Sequence, residues 1–339
     1  MTDTAVVILN YNGRELLRRF LPSVVKHSGS ARIVVVDNAS ADDSLEFVAK
    51  EFPQVERIRI DENRGFCGGY NASLKQIQAD RYVLVNSDVE VTAGWLDPLG
   101  NILDLHPDVA AVQPKILSEK QKTHFEYAGA GGGLIDALGY PFCRGRLFYH
   151  LEADQGQYND ERQIFWSSGA CMMIRSKLFH ELEGFDEDFF AHMEEIDLCW
   201  RLQRAGHRIF YTGASTVYHV GGGTLSASNP RKTYLNFKNG LSLLYKNLPR
   251  HELTYKFPIR IVLDWIASFK FAVSGTFRDS AAVLKAHAHF FGRYPRELAR
   301  RKRFSKLGYG TLPSQYKGSI VWDFFILGKR IARQLRDKD

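Results

Sequence analysis

Three short apolar runs, at residues 5–9, 33–36 and 82–85, set the tightest limit on what this chain can fold into. Each is rich in β-branched residues and each is followed by polar turn residues, the pattern of strands buried on both faces of a parallel sheet. Helical patterns lie between and after them. Residues 14–27 place Leu16, Leu17, Phe20, Leu21, Val24 and Val25 on one side, and further helices are predicted at 44–51 and 69–78. The alternation predicts a doubly wound α/β sheet, in which ligands bind beyond the carboxyl ends of the strands. With 339 residues the chain is long enough for one large or two modest units.

The polar residues at those strand ends are therefore the first candidates for function. Asn10, Tyr11, Asn12 and Gly13 follow the first run. Asp37, after the second, is placed to accept a hydrogen bond from a base imide or a ribose hydroxyl, although Asp and Asn equally make turns and helix caps. Residues 63–71 (NRGFCGGYN) form a glycine-rich loop before a helix. This is not the dinucleotide GxGxxG fingerprint, which would sit directly after the first strand. After the third run stand Asn86, Ser87 and Asp88. A single carboxylate at a strand end, with an open coordination sphere, is a common way to hold a Mg²⁺ or Mn²⁺ that also binds a diphosphate. Far downstream, a β-rich run ends in His219 before three glycines; its imidazole either completes a metal shell or serves the structure alone.

Residues 184–202 (GFDEDFFAHMEEIDLCWRL) concentrate six carboxylates among aromatics at the start of a helix. A carboxylate there, kept ionised by the positive end of the helix dipole, suits a general base. The plain alternative is that acids at a helix start serve stability only. Trp166, before a strand, offers either a stacking face for a sugar or a core side chain. The segment 125–149, with Gly129, Gly131, Gly132 and Gly133, reads as a flexible substrate-facing loop.

The net charge of +7 hides a division. Residues 1–228 carry 22 basic and 31 acidic residues, a net of −9, and residues 229–339 carry 23 and 7, a net of +16. Such asymmetry points to an anionic partner surface, and without a nucleic-acid recognition motif a membrane is favoured over nucleic acid. Apolar residues from Phe257 to Val273 are interrupted by Arg260, Asp264 and Lys270, too charged for a spanning helix of about 20 apolar residues but suited to one lying in the interface plane. Residues 300–303 (RRKR) would add headgroup attraction; the other reading is a helical appendage packed on its own domain. The four cysteines form no CxxC pair and the N-terminus carries no secretory pattern, so a reducing cytoplasm is expected.

The order of these pieces resembles the inverting nucleotide-sugar glycosyltransferases of family 2, with the GT-A fold, and especially their rhamnosyltransferase-like bacterial members. The resemblance rests on residues 6–13 (VVILNYNG), 34–44 (VVVDNASADDS), 62–71 (ENRGFCGGYN), 83–91 (VLVNSDVEV), 167–179 (SSGACMMIRSKLF), 184–206 and 217–224 (VYHVGGGT). It implies a GT-A domain over residues 1–228 and a basic, mostly α-helical extension over 229–339, peripheral on the cytoplasmic face of the inner membrane. Asn10, Tyr11 and Asp37 would hold the nucleobase end of a UDP- or dTDP-sugar, and Asn63 and Gly65 would lie over the nucleotide. Asn86, Ser87 and Asp88 match the DxD region. Asp88 is its metal-binding acid, although Asn86 replaces the first aspartate, and His219 matches a histidine that completes the Mn²⁺ or Mg²⁺ site in some relatives. Glu195, flanked by Glu194 and Asp197, would be the base, and Trp166 and Gly169 would shape the pocket of a glycan or lipid-linked acceptor in cell-surface polysaccharide biosynthesis. No QxxRW follows the carboxylates, so one sugar per encounter is expected rather than processive synthesis. Two other classes are a nucleotide-sugar nucleotidyltransferase, whose N-terminal basic glycine-rich signature is missing after Leu9, and an inactive membrane-associated scaffold.

Overall fold

A computed structural model describes residues 2–221, 229–309 and 312–335. Its first half alternates β1 (Thr4–Asn10), α1 (Arg14–His27), β2 (Arg32–Asn38), α2 (Ser44–Glu51), β3 (Glu56–Ile60), α3 (Gly65–Leu74) and β4 (Arg81–Asn86). There follow β5 (Val89–Val91), α4 (Leu96–Leu105) and β6 (Val109–Ser118). The three apolar runs are strands, and α1 and α2 have their expected bounds. Successive residues of β1 enter opposite layers of the core, Val7 with Val34 and Tyr70, Val6 and Ile8 with Leu17, Leu21 and Val35, as a strand with helices on both faces requires.

Helix α3 begins four residues before the expected 69–78. The glycine-rich stretch is its first turn, hidden in the sequence because glycine is a poor helix former. Asn63 Oδ1 accepts the Gly65 N–H at 2.9 Å, and Gly65 adopts φ +66° against the Phe190 ring, which a Cβ there would approach to 2.7 Å. No other residue fits that turn without strain.

A small sheet follows, built from β7 (Gly133–Asp136), β8 (Pro141–Cys143), β9 (Arg146–Leu147) and β10 (His150–Leu151). The expected flexible loop at 125–149 is thus folded, with Phe125, Phe142 and Leu147 buried. Then come β11 (Glu161–Ile164), β12 (Cys171–Arg175), α5 (Ser176–Glu181), α6 (Glu194–Arg204) and β13 (Arg208–His219). The main sheet runs β11-β13-β6-β12-β4-β1-β2-β3, with β5 on β13. β3, β2, β1 and β4 are parallel, but β12 lies antiparallel between β4 and β6, so the sheet is mixed rather than uniformly parallel. The four cysteines are free and buried.

The C-terminal region contributes α7 (Pro230–Asn247), α8 (Arg250–Val273), α9 (Phe277–Gly292), α10 (Tyr294–Arg303), β14 (Gln315–Tyr316) and α11 (Ile320–Phe325). It is mostly helical, yet β14 pairs in parallel with β7 and so completes the small sheet across the expected boundary at 228/229. Among the described residues no helix is long and apolar enough to cross a membrane.

Three basic side chains of the tail are turned onto the acidic segment. Lys246 Nζ, wholly buried, lies 2.7 Å from Asp186 Oδ2 and 2.8 Å from Asp197 Oδ2. Arg201 and Asn247 complete the shell of Asp197 at 2.8 and 2.9 Å. Arg300 donates to Asp186 and Glu297, and Arg296 to Asp188. Arg301 is buried on the Tyr245 and Leu248 carbonyls, and Arg303 pairs with Glu183. Of the 300–303 run, Arg300 and Arg301 are thus committed inside the protein, whereas Lys302 and Arg303 remain exposed. Burial alone would raise the carboxyls of Asp186 and Asp197, but the Lys246 ammonium with the Arg300 and Arg201 guanidiniums holds both below the usual carboxylate range.

Stability from these two aspartates is complete above the unfolded carboxylate range, near pH 4, and is lost as pH falls through their depressed values. Lys246→Met leaves two buried carboxylates facing each other and should cost about 3–5 kcal/mol in chemical denaturation. Arg303→Ala, which removes an exposed pair, should cost less than about 1 kcal/mol. Equal costs for the two variants would contradict the clamp.

Candidate active site

The parallel strands β2, β1 and β4 end side by side, which places Asp37, Asn10 and Asn86 on one edge of the sheet. Asp37 and Asn10 are both buried, and each keeps one side-chain oxygen, Oδ1, without a partner. Two orphaned acceptors on adjacent strands are costly unless a ligand donates to them. Asp37 Oδ2 is already taken by the Ser40 N–H at 3.1 Å. Asn12 and Ala39, both at positive φ, set the loops after β1 and β2. Asn12 joins these loops, donating N–H to Ser40 Oγ at 2.9 Å and accepting from Ala41 N at 2.7 Å. Tyr11 stands half exposed beside them. Ser87 lies close to Asn10 around Gly13, where a Cβ would strike Asn10 Oδ1 at 2.2 Å.

One turn further on, Asp88 Oδ1 lies 3.1 Å from His219 Nε2, with His219 brought there by the pairing of β13 with β5. On the other side of the ring, Nδ1 lies 3.2 Å from Glu126 Oε2, close in charge although short of good hydrogen-bond alignment. Glu126 carried no signal in the sequence: it is one isolated acid in the stretch expected to be a loop. Burial works against a charged imidazole, but the two carboxylates outweigh it and push His219 up to about 10. The site is built to hold a positive charge. Its donor set also fits a divalent cation, because 3.1 Å is about the spacing of two neighbouring ligands on an octahedral ion with bonds of about 2.1 Å. Glu126 behind the ring is the kind of partner that orients a metal-binding histidine. Among the described residues no three His, Cys, Asp or Glu side chains converge as a metal cage, so most of the shell would come from ligand and water. Residues 222–224 of the expected motif lie outside the described residues.

The acidic segment is docked against α3. Phe66 N and Cys67 N both point at the Phe190 carbonyl, and Asn71 exchanges bonds with Phe185, accepting its N–H at 2.9 Å and donating to its carbonyl at 2.7 Å. Phe190, His192 and Met193 all take left-handed φ values of 65–73°, an uncommon run for non-glycine residues. It is held by the buried Asn239 of α7, whose Nδ2 donates to the carbonyls of Phe189, Ala191 and His192 at 3.1, 2.9 and 2.7 Å. Strain of this kind gathers where a side chain must be aimed. Met193 caps α6 and delivers Glu194 and Glu195 into its first turn.

Each of these glutamates has an Oε2 without a partner. Burial raises both carboxyls, outweighing the helix dipole that was expected to keep one ionised. Glu194, more deeply buried and beside Glu195, is pushed well up; Glu195 is pushed up to about 7. Of the two, Glu195 has the poise of a base at neutral pH.

Other expected residues lie elsewhere. Asp197 has both oxygens engaged by Lys246, Arg201 and Asn247, which anchor α6. Trp166 is buried, its Nε1 donating to the Leu134 carbonyl at 2.8 Å and its ring against Gly133. Gly169 packs against the Phe66 ring. Asn63 spends its Oδ1 on Gly65 and on Asn38, shaping the α3 entry.

Residues 2–234 match the model of "Glycosyltransferase like family 2". The chain is 28% identical over 239 residues to N-acetylglucosaminyl-diphospho-decaprenol L-rhamnosyltransferase of Mycobacterium tuberculosis, covering 65% of this chain and 76% of that protein. It is 23% identical over 265 residues to the low-salt glycan biosynthesis hexosyltransferase Agl10 of Haloferax volcanii, covering 75% and 80%. Among solved structures, S. aureus TarS 1–349 in complex with UDP-GlcNAc superposes with a TM-score of 0.56 at 15% identity, over 90% of this chain and 84% of that one. GalNAc-T7 with UDP, GalNAc and Mn²⁺ gives 0.54 at 17%, over 73% and 48%. These likenesses show a GT-A fold, and with the family match they make the chain a member of glycosyltransferase family 2.

Proposed function

We propose that this glycosyltransferase moves one sugar per encounter, with inversion, from a UDP- or dTDP-sugar to a hydroxyl of a lipid-linked or glycan acceptor used for cell-surface polysaccharide. The observation that carries the reading is the gathering, around the ends of β1, β2, β4 and β13, of two orphaned acceptors and a carboxylate–imidazole pair fitted to a cation, with a raised, unpartnered glutamate delivered by the segment docked on α3. The name of the mycobacterial relative supports rhamnose as the sugar and a diphospholipid as the acceptor carrier. A lipid-borne acceptor would be met at the cytoplasmic face of the inner membrane.

Asn10 and Asp37 accept from the nucleobase end of the donor, and the exposed Tyr11 ring is free to cover it. Asp88 and His219, oriented by Glu126, would hold a Mn²⁺ or Mg²⁺, which when bound offsets charge developing on the departing diphosphate. Glu195 takes the proton of the acceptor hydroxyl. That oxygen forms the new bond to the anomeric carbon as the carbon–phosphate-oxygen bond breaks, and the electron pair leaves with the nucleoside diphosphate.

Three outcomes follow. Asp88→Ala should abolish transfer while the circular dichroism of the folded protein persists, and the wild type should lose activity in excess EDTA; full activity in EDTA would rule the metal role out. Glu195→Gln should lower kcat by about 100-fold or more while donor binding persists, whereas Glu194→Gln, at a carboxyl that burial pushes well up, should retain most activity. The reverse pattern would make Glu194 the base. Because Glu195 acts when ionised, kcat should rise with pH through about 7, and a rate flat from pH 6 to 8 would remove it from the proton transfer.

A further inference from the structure

Helix α8 is turned inside out. The residues it buries are Lys256, Arg260, Asp264 and Ser268, four polar side chains at a spacing of four. Arg260 Nε donates to Asp264 Oδ1 at 2.8 Å, His287 of α9 lies 3.2 Å from Asp264 Oδ2, and the Arg260 guanidinium lies 3.9 Å from the centre of the Tyr140 ring. The opposite face carries Ile259, Val262, Ile266, Phe269 and Val273, spaced 3, 4, 3 and 4, and all are exposed, Phe269 and Val273 by more than 70%. A helix beside water normally shows the reverse arrangement. Phe277 continues the stripe into α9, and α11 brings Phe325 under Lys270, whose Nζ is 4.5 Å from its ring centre, with Trp322 and Ile326 exposed beside it. A patch of this size marks a docking surface.

We infer that this face of α8, with the adjoining turns of α9 and α11, seats the enzyme in the headgroup layer of an anionic lipid bilayer; the inference rests on the lipid-borne acceptor proposed above. Charge selects the occupant. Lys270, Arg278 and Lys285 are exposed around the stripe. The acids of the same stretch are occupied: Glu252 pairs with Lys256, Asp264 is fully buried, and Asp279 accepts from Thr233. A second copy of this chain would set cation against cation, while an anionic leaflet complements both the apolar stripe and its basic rim. Position agrees. Thr233 Oγ1 donates to Asp279 at 2.6 Å and Ser268 meets Ser280 at 2.9 Å. The most exposed end of the stripe is thus level with the first turn of α7, where Lys232 joins burial in lowering the His192 imidazole to about 4, two residues before Glu194. A bilayer on this face would present its lipid-linked acceptor beside the carboxylates.

Flotation of the full chain with phosphatidylcholine vesicles, with and without phosphatidylglycerol, tests this. The wild type should float with the anionic vesicles and bind less as salt rises. The double variant Phe269→Glu, Val273→Glu should bind about tenfold less or weaker still, with unchanged circular dichroism and unchanged nucleoside diphosphate release from donor in solution, while Arg303→Gln should bind as the wild type does. Equal flotation of the double variant and the wild type, no binding of the wild type to either vesicle, or a wild-type dimer that the double variant converts to a monomer with vesicle binding unaltered would each overturn the assignment. Donor turnover is read separately, so failure of the catalytic proposal does not register as failure of the docking face.

Discussion

The ammonium of Lys246, sealed between Asp186 and Asp197, is the contact on which the rest of the structure depends. An acidic segment with six carboxylates repels itself and would not fold against a sheet unaided. The C-terminal helices supply the cations: α7 gives Lys246, and α10 gives Arg296 and Arg300. Part of the charge division between the two parts of the chain is thus an internal complementarity. The tail is a structural component of the site, since the helix that carries Lys246 also carries Asn239, which fixes the backbone just ahead of Glu194 and Glu195.

That clamp explains how two glutamates survive in a buried first turn with unpaired oxygens. Leaving them unsatisfied costs free energy, as do the positive φ angles of Phe190, His192 and Met193. The neighbouring network offsets both costs. Orphaned acceptors at Asn10 and Asp37 repeat the pattern at the strand ends, beside groups that are paired.

The sequence revealed the parallel half of the sheet clearly, because strands buried on both faces admit little but Val, Ile and Leu, and helices between them must keep an apolar stripe. Asp88, His219 and the glutamate pair were legible because each follows or opens an element. Glu126 was not, being one isolated acid brought to His219 by the fold alone. Glycines at 129–133 read as flexibility, yet Gly133 is there because the Trp166 ring lies where its Cβ would be. Charge sums could not show which arginines of the tail face inward. The i, i+4 spacing of Arg260 and Asp264 was the sequence sign that the polar side of α8 pairs internally, and it carries meaning only once His287 and Tyr140 are seen to enclose it.

The central claim is that this edge of the sheet transfers a sugar from a nucleoside diphosphate with inversion. The most direct measurement incubates the full chain and Mn²⁺ with UDP-, dTDP- and GDP-sugars and a lipid-linked acceptor, and reads both nucleoside diphosphate release and, by NMR, the anomeric configuration of the product. The account requires acceptor-dependent release from a UDP- or dTDP-sugar and a product of opposite anomeric configuration to the donor. A product that retains the donor configuration, or no release from any of the three donor classes, would contradict it.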